Sequence, residues 1–96
     1  MDRSIAEIIK QRRIQMLIHS CIYYRLNDSI IDDYTFDRWA KELAQLQNDY
    51  PEIARQVEWH EAFESWDGST GFHLPIEHPW VIGHAEYLLR TYERVK

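Results

Sequence analysis

Ninety-six residues with a formal net charge of −5 are enough for one domain, and the acidic balance argues against nucleic acid as the main partner, since phosphate binding starts from a basic face. Abundant apolar and aromatic residues with only three Gly and three Pro exclude a disordered chain and point to a compact helical one. No apolar run reaches membrane-spanning length and the N-terminus lacks the apolar block of a signal peptide, so a cytoplasmic protein is expected.

Ser4-Ile5-Ala6-Glu7 has the S-x-x-E form of a capping box and predicts a helix start. Ile5, Ile8, Ile9, Met16, Leu17, Ile18, Cys21 and Ile22 then form a broad apolar stripe, so one long helix is predicted from about Ser4 to Arg25. Cys21, the single cysteine, has no disulfide partner and is expected to fill the core as a small apolar residue. Arg3, Lys10, Arg12, Arg13 and Arg25 make this part mildly basic. They are expected on a solvated helix face, with a local phosphate contact from Arg12 or Arg13 left open. Tyr23 and Tyr24 fall in the last turn, about 100° apart; both cannot point into one core, so at least one is available to a pocket.

Asn27-Asp28-Ser29 carries the residue types that hydrogen-bond their own backbone and stop helices. Asp32 is the predicted N-cap of a second helix, with Asp33 in the first turn, where the helix dipole favours negative charge. Phe36, Trp39, Ala40, Leu43 and Leu46 recur at steps of three and four, and the helix is predicted to stop near Asn48, ahead of Tyr50-Pro51. Trp39 and Leu43 are assigned to the hairpin core. Tyr23 and Tyr24 at the end of one helix, and Asp33, Phe36 and Asp37 at the start of the next, form a cup of rings and carboxylates that suits a flat, positively charged ligand. Two plainer roles compete. The acids can serve as cap and dipole partners, and Asp37 has Lys41 one turn on.

The order and spacing of Tyr23-Tyr24, Ile31-Asp32-Asp33, Thr35-Phe36-Asp37-Arg38, Glu42-Leu43, Leu46 and Tyr50-Pro51-Glu52 resemble the N-terminal subdomain of bacterial NAD-dependent DNA ligases, over Gln11 to Glu52. In that family the subdomain closes over the nicotinamide mononucleotide (NMN) half of NAD during self-adenylation. The resemblance implies that Tyr23, Tyr24, Asp33, Phe36 and Asp37 sit where the nicotinamide-side residues sit. Phe36 departs from the usual Tyr; a phenyl ring can still stack, but the hydroxyl's hydrogen bond is lost.

Beyond Glu52 the resemblance stops. Ile53 to Trp66 predicts one or two short helices, Asp67-Gly68-Ser69-Thr70-Gly71 a connecting loop, Phe72 to Ile76 an extended stretch, and His78-Pro79 the opening of a last helix striped by Trp80, Val81, Ala85, Leu88, Leu89 and Tyr92. The family's adenylated lysine lies in a K-x-D-G motif. Here the sole Asp-Gly pair, Asp67-Gly68, has Ser65 at the lysine position, and Lys10, Lys41 and Lys96 stand in no such motif. No catalytic residue is therefore assigned. His60-Glu61 begins H-E-x-x but is followed by Glu64 where a zinc helix needs His, and His73, His78 and His84 have no ligand spacing, so no metal is expected.

The expectation is an all-α chain, residues 1–96 forming a single domain. A ligase-like hairpin over 1–52 is followed by short helices, a loop and a C-terminal helix over 53–96. The first functional reading is a non-catalytic, ligase-related accessory module of a bacterium or phage, with a weak or vestigial site for NMN or NAD. The second is a protein-interaction module docking on a nucleotidyltransferase domain or another partner. Neither reading fixes the oligomeric state.

Overall fold

The Ser4 hydroxyl accepts a hydrogen bond from the Glu7 amide at 3.1 Å and caps helix α1, Ile5–Ser20. The computed structural model describes residues 4–64, 66 and 74–95. After α1 the chain runs through a π-helical turn, Cys21–Arg25, and then α2 (Asp33–Asp49), α3 (Pro51–Gln56), α4 (His60–Phe63) and α5 (Pro79–Val95). The described residues contain no strand, and the chain is all-α. None of these helices is long and apolar enough to cross a membrane.

Helices α1 and α2 form the expected hairpin, and α5 packs against α1 and the π-turn. Ile9, Met16, Leu17, Cys21 and Ile22 from the first arm meet Ala40 and Leu43 from the second, with Ala54, Phe63, Leu74, Val81 and Ala85 closing the core. Trp39 is half-buried against this core rather than inside it. Burial pushes the Cys21 thiol up from its ordinary value, opposed by the nearby charge of Arg25 and reinforced by that of Glu86, as suits a packed and unreactive side chain. The Asp67–Gly71 loop and Phe72 lie outside the described residues; Leu74, which follows, is buried.

Arg13 corrects the expected solvated basic face. It stands on the apolar stripe, four residues from both Ile9 and Leu17, and is 1% exposed. Its Nε donates to Gln47 Oε1 at 2.9 Å, and one terminal nitrogen donates to the Val57 and Glu58 carbonyls, both at 3.1 Å. The guanidinium carbon lies 5.7 Å from the centre of the Phe63 ring. With its donors used this way Arg13 makes no phosphate contact; it ties the hairpin to the segment after α3. Burial lowers its pKa to about 10, so it is still charged at neutral pH. Arg12 is also engaged, donating to Glu42 Oε2 at 3.0 Å and to Gln15 at 2.6 Å, with its guanidinium over Trp39.

The second helix begins as predicted. Asp32 Oδ1 accepts from the Thr35 amide at 2.7 Å. The Thr35 side chain and then its amide hold the Asp32 carboxyl below its ordinary range. A carboxyl whose pKa is depressed on folding stabilises the fold above its unfolded value, about 3.9, and loses that contribution as pH falls through the lower folded value. Asp32→Ala is therefore expected to melt below the wild type at pH 7, with the gap in Tm closing at the acid end of a circular-dichroism melting series. Pro51 sits at the start of α3, where its missing N–H costs nothing.

Candidate functional site

The first helix does not run to Arg25 as a regular α-helix. Its last five residues, Cys21–Arg25, widen into a π-turn, marked by Leu26 N–H donating to the Cys21 carbonyl at 3.0 Å and Asp28 N–H to that of Ile22 at 2.9 Å. Asn27 follows with φ 55°, a left-handed conformation that Asn tolerates better than most residues. Asp28 Oδ1 then accepts from the Ser29 amide, and the Ser29 hydroxyl donates to the Ile31 carbonyl, each at 2.7 Å. These local bonds pin the connection between the two arms and fix Ile30 and Ile31 as a wall.

Between this wall, the π-turn and the start of α2 lies a hollow of about 210 Å³, lined by His19, Tyr23, Tyr24, Ser29, Ile30, Ile31, Asp33 and Phe36. Four of the five residues singled out from the sequence, Tyr23, Tyr24, Asp33 and Phe36, meet here. The fifth, Asp37, is not on the lining; its Oδ2 pairs with Lys41 Nζ at 2.9 Å. Tyr23 and Tyr24 are both solvent-exposed and stand edge to face, ring centres 4.8 Å apart. Both rings border the same hollow, and neither is buried in the hairpin core.

Asp33 is exposed in the first turn of α2, next to the capping Asp32, and among the described residues it has no ion-pair partner. Its carboxylate lines a hollow whose other walls are rings, the aliphatic Ile30 and Ile31, and Ser29, and a cation there gains from both the rings and the carboxylate. His19 was not anticipated as a lining residue, although it lies four residues before Tyr23 and so on the same face. Its ring is tilted against Trp39 at 5.6 Å, and its Nδ1 is buried with no hydrogen-bond partner. Burial holds its pKa below the ordinary histidine value, which keeps it neutral at pH 7 and puts no opposing charge beside Asp33. The nearby thiol, Cys21, is buried, and among the described residues no group of three His, Cys, Asp or Glu side chains is placed to hold a metal.

A family model described as "DNA ligase-like, N-terminal NAD+-binding domain" matches residues 2–56, more than half of the chain. The chain belongs to this family. The ligase-like stretch thus takes in all of α1, the π-turn, α2 and α3, and with them every residue lining the hollow. Similar curated proteins are the DNA ligases of Thermotoga maritima and Thermotoga neapolitana, each 32% identical over 53 residues, which is 55% of this chain. The ligase-like match spans only 8% of the length of either enzyme. No solved structure matches the chain.

Proposed function

We infer that this chain is a nicotinamide-nucleotide-binding module of the ligase-like type, in which residues 1–96 act as one domain and contribute no nucleophile to adenylation. The observation that carries this reading is the convergence of Tyr23, Tyr24, Phe36 and the unpaired Asp33 carboxylate on one hollow inside the stretch matching an NAD+-binding family. The nicotinamide ring of NMN or NAD, flat and cationic, stacks among the rings, with its charge toward Asp33 and the neutral His19 below. Asp37 acts from outside the hollow, adding negative potential from one turn along α2 while paired with Lys41. A hollow open on one side buries only part of a ligand, so binding is weak. In this reading the segment is a non-catalytic accessory of cytoplasmic ligase chemistry.

Phe36 supplies the test. Phe36→Tyr adds a hydroxyl at the rim of the hollow, and one hydrogen bond to a bound nucleotide corresponds to a gain of about threefold to tenfold in affinity. Calorimetric titration of wild type and Phe36→Tyr with NMN should show that gain, and Phe36→Ala should lose affinity. Equal affinities for all three chains would sink the assignment.

A second reading has its own support. Tyr34, next to Asp33 in the chain, is 74% exposed, and Tyr23 on the rim of the hollow is exposed as well. In that reading the hairpin docks through this rim on a nucleotidyltransferase domain, and Tyr34→Ala weakens docking while leaving NMN binding unchanged.

A further inference from the structure

The hollow does not end at Tyr24. The same side chain borders a second, more open hollow of about 520 Å³, lined by Tyr24, Arg25, Leu74, Pro75, Ile76 and Glu77. The far wall belongs to a segment outside the family match, which ends at residue 56. It is a tight turn, with Ile76 N–H donating to the Leu74 carbonyl at 2.7 Å and His78 N–H to that of Pro75 at 3.2 Å, anchored by the buried Leu74. Arg25, the last residue of the π-turn, reaches toward it, and its guanidinium nitrogen lies 3.7 Å from Glu77 Oε1.

Size and charge connect the two hollows. Sites that bury a whole small ligand run to about 300–1,000 Å³, so the first, at about 210 Å³, suits a ring better than a nucleotide. A ribose phosphate attached to a ring held there must leave across one of its walls. Across Tyr24 it meets the one cation bordering either hollow among the described residues, Arg25. The guanidinium fork matches a phosphate in two-pronged fashion. Its present partner is a poor rival: the Arg25 and Glu77 side chains are 42% and 83% exposed, and ion pairs so placed hold weakly.

Resting on the nicotinamide reading above, we propose that Arg25 and the Leu74–Glu77 turn form a second subsite that takes the phosphate of a nicotinamide mononucleotide, with Glu77 holding Arg25 until the phosphate displaces it. Glu77 is then a specificity device. It leaves nicotinamide riboside, which has the cationic ring but no phosphate, largely unaffected and sets the affinity for the phosphorylated ligand, because the phosphate must overcome a like charge to reach the guanidinium.

The full chain and its Arg25→Gln and Glu77→Gln variants, both altered at exposed positions, should be titrated with nicotinamide riboside, NMN and ribose 5-phosphate, following backbone amide shifts. The wild type is expected to prefer NMN over the riboside. Glu77→Gln should widen that preference by about threefold to tenfold, and Arg25→Gln should bring it close to one with the riboside affinity unchanged. Equal binding of NMN and riboside by wild type and Glu77→Gln, or a preference surviving in Arg25→Gln, would overturn the subsite. The riboside alone reports on the ring site. If it fails to bind while ribose 5-phosphate shifts the Arg25 and Ile76 amides in wild type but not in Arg25→Gln, the phosphate subsite stands and the ring assignment falls. Silence to ribose 5-phosphate as well overturns both.

Discussion

Replacing Arg13 by leucine is expected to destabilise the fold by about 3 kcal/mol, since a buried carbonyl or amide left unpaired costs roughly 1–3 kcal/mol and the side chain serves three that are partly buried, at the lower end of that range. In a chain of this size that corresponds to a fall in Tm of about 12 °C or more. Part of the loss is shape. The guanidinium fills the space between α1, Gln47 and Phe63, and leucine neither reaches the Val57 and Glu58 carbonyls nor frees Gln47, whose amide also donates to the Phe63 carbonyl at 3.4 Å. Arg13→Lys keeps the charge but not the planar fork and should recover less than half of the loss. Thermal melts of the three chains check this. A leucine variant melting within about 4 °C of wild type would mean that the carbonyls find other partners and that Arg13 does not hold the hairpin to the segment following it.

Asp33→Ala is the second large effect, on binding rather than stability. Removing Asp33, the one carboxylate lining the hollow among the described residues, should weaken NMN binding by about tenfold, equivalent to about 1.4 kcal/mol. The fold should survive, because a first-turn carboxylate contributes only about 0.3–1 kcal/mol through the helix dipole. Asp37→Ala should cost less than Asp33→Ala, since Asp37 is off the lining and already neutralised in part by Lys41. Calorimetry on the two variants ranks them. An Asp37 effect exceeding that of Asp33 would shift the ligand outward along α2.

Where a feature depended on local chemistry, the chain made it readable. Ser4 and Asp32 cap the helices their residue types predict, Pro51 and Pro79 begin helices where proline is tolerated, and the three-and-four spacing of α2 gives its buried face. The meeting of Tyr23, Tyr24, Asp33 and Phe36 was legible for the same reason, since a short connection between antiparallel helices brings those ends together. Features set by tertiary contact were not. Arg13 interrupts the apolar stripe between Ile9 and Met16, and only the carbonyls of Val57 and Glu58, more than forty residues on, explain why a charged side chain belongs there. Trp59 takes a left-handed φ of 71°, costly for a bulky residue, where its ring meets those of His78 and Trp80. The π-turn likewise has no local signature in Cys21–Arg25. His19 was the one omission that helix geometry could have prevented, standing a single turn before Tyr23.

A chemical-shift titration of the isotopically labelled chain with NMN, with AMP as control, tests the nicotinamide site most directly. Shifts are expected to concentrate at His19, Tyr23, Tyr24, Ile31, Asp33 and Phe36, to grow with NMN toward millimolar concentration, to be lost in Asp33→Ala and not to be produced by AMP. A flat NMN titration at millimolar concentration, or equal shifts with AMP at the same residues, would contradict a nicotinamide site and leave the aromatic rim as a docking surface for protein.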